Sequence, residues 1–223
     1  MKNSNHNLRD KAYKKIYNAL LVGKFKPGER IFEEDISSQL NISRTPVRQA
    51  MRKLEEQGLI DIIPYKGSKV SEINQEEAMD LLEMCELLEV YLCKKACKEA
   101  TNKDIEELKS TSKSFKKAYK NENMEKMQLS NFEFHMKIAE CNKNVLSYKM
   151  YKNIRSRMNL ISVYTLPFSN RDRLSIEEHE DIIQAIDNSD VDKAKASASK
   201  HVQRIKKVTL EKLHRKEAFL SKI

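Results

Sequence analysis

The sequence of 223 residues predicts a mainly α-helical protein: a winged helix-turn-helix over residues 1–73, then an all-helical antiparallel bundle over residues 74–223. Three observations predict it. All four glycines (Gly23, Gly28, Gly58, Gly67) and three of the four prolines (Pro27, Pro46, Pro64) precede residue 68, so turns crowd the first third and the rest has the sparse punctuation of helices. Apolar residues recur at helical spacing along most of the chain. Two β-prone runs, "LIDII" and "SKVSEI", flank the turn-rich "PYKG" and read as a hairpin.

In the first domain, residues 8–22 place Ala12, Ile16, Ala19 and Leu20 on one helical face, and "GKFKPGE" ends that helix. A short second helix fits residues 33–40, with Ile36 and Leu40 on one side. "NIS" makes a tight turn into a third helix over residues 44–57, stopped by Gly58, and the hairpin follows. The second domain reads as about six helices. Asn74, Thr101, Asn123, Asn144, Ser175 and Asp190 are suited to their N-caps, because short polar side chains accept from the unpaired first-turn N–H groups. Ser175 with Glu178 has the spacing of a capping box, and "LPFSNRDR" (166–173) reads as the longest loop.

The formal charge is +9, and residues 1–73 hold 14 Lys and Arg against 9 Asp and Glu, which points to an anionic partner for that part. No run of about 18 apolar residues exists that could cross a membrane, and the polar start "MKNSNHNLRD" has no apolar signal core, so a cytoplasmic location is expected. Cys85, Cys93, Cys97 and Cys141 form no CxxC pair and sit among helix formers. They read as buried free thiols, with redox sensing as the alternative.

"NISRTPVRQAMRKLEEQG" places Arg44, Arg48 and Arg52 at i, i+4 and i+8, on one side of the third helix, while Val47, Met51 and Leu54 face another. Most charge runs are solvated faces. These three, however, are drawn from only eleven arginines, follow a tight turn, and precede a basic hairpin tip. An arginine fork can grip a guanine edge or a phosphate with two hydrogen bonds. In a helix-turn-helix the first residues of the second helix reach the major groove, so Ser43, Arg44, Thr45 and Arg48 are the candidate DNA contacts. Arg52 lies further along, toward backbone or solvent. Pro46 suits a first turn, where its missing N–H costs nothing. At the wing, Gly67 permits close approach while Lys66 and Lys69 supply charge.

The stretch "YKKIYNALLVGKFKPGERIFEEDISSQLNISRTPVRQAMRKLEEQGLIDIIPYKGSKV" resembles the N-terminal domain of GntR-type bacterial transcription regulators. The specific parts are the "G.F.PGERI" link, "SRTPVR.A...LE..GL" and the glycine-tipped wing. The resemblance implies a homodimer on an inverted-repeat operator, with Arg44, Thr45, Arg48 and Gly67 at DNA-contact positions.

Of the five histidines, His6 and His214 lie in polar ends, and the other three stand in "SNFEFHMKIAECNKN", "SIEEHEDIIQAIDNSD" and "ASASKHVQRI". Asn131 and His135 are i, i+4 on one helix. His179 and His201 come from two later helices, and each histidine has apolar neighbours at helical spacing, so all three face inward. Separate helices of a bundle can bring such donors to one metal ion, although dispersed histidines are more often ordinary hydrogen-bonding residues.

Residues 75–210 resemble the helical FCD-type ligand-binding domain of the FadR subfamily of these regulators. By motif, "NxxFH" gives Asn131 and His135, "EEHEDIIQAI" gives His179 and "SASKHV" gives His201. The resemblance implies a divalent metal, often Zn²⁺ or Ni²⁺, that helps to hold a small carboxylate effector. This chain departs from the family twice: Asn131 stands where many relatives have aspartate, and Cys85 in "LLEMCELLEVYL" stands where an arginine commonly grips the effector. Arg155 and Arg157 of "NIRSRMN" are the candidate replacements, or else surface or dimer-contact residues. Cys85 is a structural thiol, or alternatively one that approaches the metal or senses oxidation.

The function this implies is a metal-containing dimeric regulator, most often a repressor in this family, whose small effector changes operator affinity. An enzyme is not expected, because no carboxylate or nucleophile sits in a recognisable general-base motif. A metal-dependent enzyme fused to a DNA-binding domain is the rival reading, since three histidines can also activate water. A regulator whose metal is structural, or is itself the signal, is the third.

Overall fold

The computed structural model describes the backbone of residues 2–64, 67–165 and 170–220, and the side chains of residues 7–64, 67–162 and 173–213. The chain divides into two compact units, Met1–Ile73 and Asn74–Ile223.

The first unit runs α1 (Lys2–Leu21), β1 (Arg30–Ile31), α2 (Glu33–Leu40), α3 (Arg44–Glu56), β2 (Ile60–Ile63) and β3 (Gly67–Val70). Ala12, Ile16 and Leu20 of α1 and Val47, Ala50, Met51 and Leu54 of α3 are buried in one core with Ile31, Ile36, Leu59, Ile60 and Val70. Asn41, with φ 52°, turns the chain between α2 and α3. Asparagine tolerates that left-handed conformation better than most residues do.

The strands form an antiparallel sheet of order β1-β3-β2, in which Arg30 pairs with Lys69 and Ile62 with Ser68. β1 was not expected from the sequence, being only two residues long. It forms because the turn at Pro27 and Gly28, where Gly28 has φ 77°, brings the chain back beside β3. Gly28 N then donates to Val70 O at 2.9 Å, and Val70 N donates to Glu29 O at 2.9 Å. β3 stops at Val70, earlier than the "SKVSEI" run suggests.

The second unit contains α4 (Gln75–Glu99), α5 (Asn102–Lys120), α6 (Met124–Glu140), α7 (Val145–Thr165), α8 (Asn170–Asp187) and α9 (Val191–Leu220). α4 packs against α6, α7, α8 and α9, and α5 packs against α6 and α8. The inward stripe of α4 comprises Ala78, Leu82, Cys85, Glu89, Leu92, Cys93 and Ala96. All four cysteines are free and buried.

Asn74, Thr101, Asn123, Asn144 and Asp190 accept from first-turn N–H groups as capping residues do, at 2.8 to 3.3 Å. Thr101 with Asp104 makes a full capping box. Ser175 does not cap a helix. α8 starts five residues earlier, at Asn170, so Ser175 lies inside it and residues 170–173 of the anticipated loop are helical, while residues 166–169 lie outside the described residues.

Candidate functional site

α3 separates its two faces as its spacing requires. Pro46 and Val47 are buried, whereas Ser43, Arg44, Thr45, Arg48 and Arg52 are exposed. Ser43 is extended at the N-cap but makes no side-chain capping bond, leaving its hydroxyl and the first-turn N–H groups to meet an acceptor such as phosphate. Arg44 and Arg48 are each engaged by an acid of α2: Arg44 Nη2 lies 3.0 Å from Glu34, and Arg48 Nη2 lies 2.9 Å from Glu33. Gly67 is exposed with φ +86°, and nothing lies within 4 Å of where a Cβ would stand. Lys66 lies outside the described residues; Lys69 pairs with Glu72 at 2.8 Å.

In the helical unit, α6, α8 and α9 bring His135, His179 and His201 together. Their ring centroids are 5.1, 5.2 and 5.2 Å apart, and one ligand nitrogen from each lies within 4.8 Å of the others. All three are buried, and the Nε2 atom of each has no hydrogen-bond partner. His179 Nδ1 also lacks a partner. A buried polar atom left in that state costs on the order of 1–3 kcal/mol, so such atoms on three rings that meet in one place are unfavourable unless something accepts their lone pairs.

Two of the rings are held from behind by carboxylates. His201 Nδ1 lies 2.6 Å from Glu178 Oε2, and Arg204 reaches the same carboxylate through Nε and Nη2, each at 2.6 Å. His135 Nδ1 stands 2.8 Å from Glu89 Oε1, close but out of line for a full hydrogen bond. A carboxylate behind Nδ1 favours the tautomer with the proton there, which frees Nε2 as a donor to metal. The plane of His179 is fixed differently, by stacking on Phe134 with centroids 3.9 Å apart.

Burial, with Arg155 nearby, pushes the His135 pKa down to about 3 against the pull of Glu89. Burial likewise lowers His179 well below the usual range, helped by the other two histidines. Both are therefore neutral at pH 7, the form that ligates metal. Burial works to raise Glu178, but hydrogen bonds from His201 and Arg204 overcome it and hold the carboxyl at about 2.

A cavity of about 20 Å³ adjoins the cluster, walled by Asn131, Arg155, His201, Gln128, Asn159 and Ser175 among others. Asn131 thus shares a wall with one of the histidines. Of the two candidate arginines, Arg155 reaches this cavity and Arg157 does not: Arg157 pairs with Glu77 instead. Arg155 is buried near Glu89 and Cys85, the position that carries arginine in many relatives, and the Cys85 thiol donates to Glu89 Oε2 at 3.7 Å. Cys85 stands outside the converging histidine group, and burial pushes its thiol far up, which makes it a poor nucleophile.

Sequence reasoning missed three residues of this site. Glu89 is a charge within the apolar stripe of α4, and that irregularity was a readable signal. It accepts from Tyr151 Oη at 2.8 Å. Tyr151 itself looks like an ordinary core aromatic in the sequence. Arg204 Nη2 donates to Ser175 Oγ at 2.8 Å, so Ser175 and Glu178 are a tertiary receptor for Arg204 and His201, not the start of a helix.

Comparison with known proteins agrees with these two units. Residues 8–70 match the model for "Bacterial regulatory proteins, gntR family" and residues 80–204 match that for "FCD domain". The Nta operon transcriptional regulator of Aminobacter aminovorans is 28% identical over 180 residues, covering 81% of this chain and 84% of that protein. The HTH-type transcriptional repressor RspR of Escherichia coli is 26% identical over 187 residues, covering 80% of this chain and 78% of the relative. Among solved structures, E. coli McbR/YncC superposes with a TM-score of 0.84 at 20% identity, covering 92% of this chain and 97% of that one. Both parts of the chain are accounted for: it belongs to the GntR family of DNA-binding transcriptional regulators, in the branch that carries an FCD domain.

Proposed function

We propose that this regulator is a cytoplasmic repressor that senses a small carboxylate through a divalent metal. Residues 1–73 read an inverted-repeat operator through Ser43, Arg44, Thr45, Arg48, Lys66 and Gly67, and residues 74–223 bind the effector and dimerise. His135, His179 and His201 hold the ion, with Asn131 completing the set from the cavity wall. Zinc and nickel suit imidazole donors. The observation that carries this reading is the trio of buried Nε2 atoms without partners, two of their rings backed by carboxylates.

Bound there, the ion supplies a Lewis-acidic positive charge to which a carboxylate can attach. Glu89 and Glu178 are balanced by Arg155 and Arg204, so a divalent ion held by the three imidazoles adds charge that nothing in this cluster offsets. An anion is the natural complement, and Arg155 on the cavity wall is the group to orient it. Arg157, paired with Glu77, is the weaker candidate. Repression is supported by the relative RspR, which is a transcriptional repressor by name. A homodimer is supported by apolar side chains exposed on α4 and α7, which pack together: Met84, Leu87 and Tyr91 on one, Val145, Leu146 and Met150 on the other.

One observation favours a second reading, in which the metal alone is the signal. A cavity of about 20 Å³ has room for roughly one water. An effector must therefore open this region, and it controls DNA only through differential affinity for two arrangements of the protein. The test is a titration of an operator duplex by protein as purified, stripped by chelator, reloaded with Zn²⁺ or Ni²⁺, and reloaded in the presence of extracted small acids. Effector control predicts a change in affinity only with metal and acid together. A change with metal alone favours the second reading, and no change in any arm refutes both.

A further inference from the structure

The first turn of α2 carries Glu33, Glu34 and Asp35, beside the arginines of α3. Acids suit a helix N-terminus, where the backbone dipole favours negative charge. That explains their presence but not their aim. Glu33 grips Arg48 from fifteen residues away, with Nε 3.0 Å from Oε1 and 3.2 Å from Oε2, and Nη2 2.9 Å from Oε2. On a surface meant for DNA, a carboxylate repels phosphate, and gripping a DNA-reading arginine also competes with its target. Something must offset both penalties.

Guanidinium geometry supplies it. The grip occupies the side edge, Nε with Nη2, and leaves the end formed by Nη1 and Nη2, which offers two parallel N–H groups. That end matches guanine O6 and N7. An arginine without such a partner swings on several rotatable bonds and pairs readily with the nearest phosphate, which carries no sequence information.

We propose that Glu33 is a positioning residue for sequence reading: it holds the Arg48 guanidinium side-on, presents its free end to a base edge, and keeps it from the phosphates. Arg44, 3.0 Å from Glu34, is held more loosely by a single contact and has less need of a fixed direction. This inference rests on the DNA-reading role given above to Arg48. The pair lies at the surface, with Arg48 exposed and Glu33 half-buried, and such a pair contributes little to the fold, so its removal leaves the domain intact.

The test uses the full-length chain. A duplex enriched from random DNA by the wild-type protein is compared with a scrambled duplex of equal length, at fixed salt, for wild type, Glu33→Ala, Glu33→Gln, Arg48→Ala and Glu33→Ala/Arg48→Ala. Glu33→Ala should weaken the enriched duplex about tenfold while the scrambled one binds equally or more tightly, since a negative charge has gone. Glu33→Gln, which keeps one acceptor oxygen, should retain more of the preference. With Arg48 already replaced by alanine, removing Glu33 should cost no further preference. An unchanged ratio of the two affinities in Glu33→Ala, an equal loss on both duplexes, or a full loss of preference from Glu33→Ala in the Arg48→Ala background would each overturn the proposal. Failure of the wild type to enrich any sequence would overturn the DNA-reading role as well.

Discussion

Replacing Glu89 with alanine strips an acceptor from Tyr151, leaves His135 Nδ1 without its carboxylate, and leaves the buried Arg155 without a neighbouring anion. Breaking a buried charge cluster this way costs about 3–5 kcal/mol, and losing a carboxylate behind a metal-binding histidine lowers affinity by about 10–100-fold. Urea unfolding and a metal-competition titration would measure the two effects separately. A stability change below about 0.5 kcal/mol, the range of an ordinary surface substitution, would mean that Glu89 organises nothing. On the DNA-reading face, Arg48→Ala should cost about 1–3 kcal/mol of specific binding if the side chain reads a base. Equal affinity of variant and wild type for the enriched duplex would remove Arg48 from the reading set. These two residues differ in how visible they are. Arg48 announces itself through spacing within its own helix, whereas Glu89 stands out only as a charge in an apolar stripe, and its partners His135 and Tyr151 lie on other helices.

The same contrast governs the helices. Asn74, Thr101, Asn123, Asn144 and Asp190 were legible as caps because a cap is settled within about four residues of chain. Ser175 has a capping sequence but a different role, because its partner Arg204 lies 29 positions on and no local pattern encodes that. The histidines fall between these cases: their inward faces are readable from periodicity, but their meeting is set by the packing of three separate helices. β1 was illegible because two residues carry no period, and its formation depends on β3 being already in place. Two substitutions measure these contributions. Thr101→Ala removes the capping box of α5 and should cost about 1 kcal/mol by denaturant unfolding. Leu54→Ala, fully buried on the inner face of α3, should cost about 2–5 kcal/mol and lower DNA affinity only through loss of folded protein. An undiminished stability in either variant would contradict the packing described.

At the scale of the molecule, an inverted-repeat operator needs two recognition helices at fixed separation, so a dimer should exist without DNA. Light scattering at micromolar concentration should give about twice the chain mass of 26.1 kDa, and a stable monomer would contradict that assembly. Among the described residues no helix is long and apolar enough to cross a membrane. The central claim is that three helices of the second unit build a metal-dependent sensor in a chain whose first unit reads DNA, and the metal content of purified protein tests it most directly. After stripping by chelator, exposure to Zn²⁺ or Ni²⁺ and removal of excess ion, the wild type should retain about one divalent ion per chain, as a complete set of buried imidazole donors does. The folded variant His179→Ala/His201→Ala should retain almost none. Failure of the wild type to retain any ion, or equal retention by the folded double variant, would contradict the account.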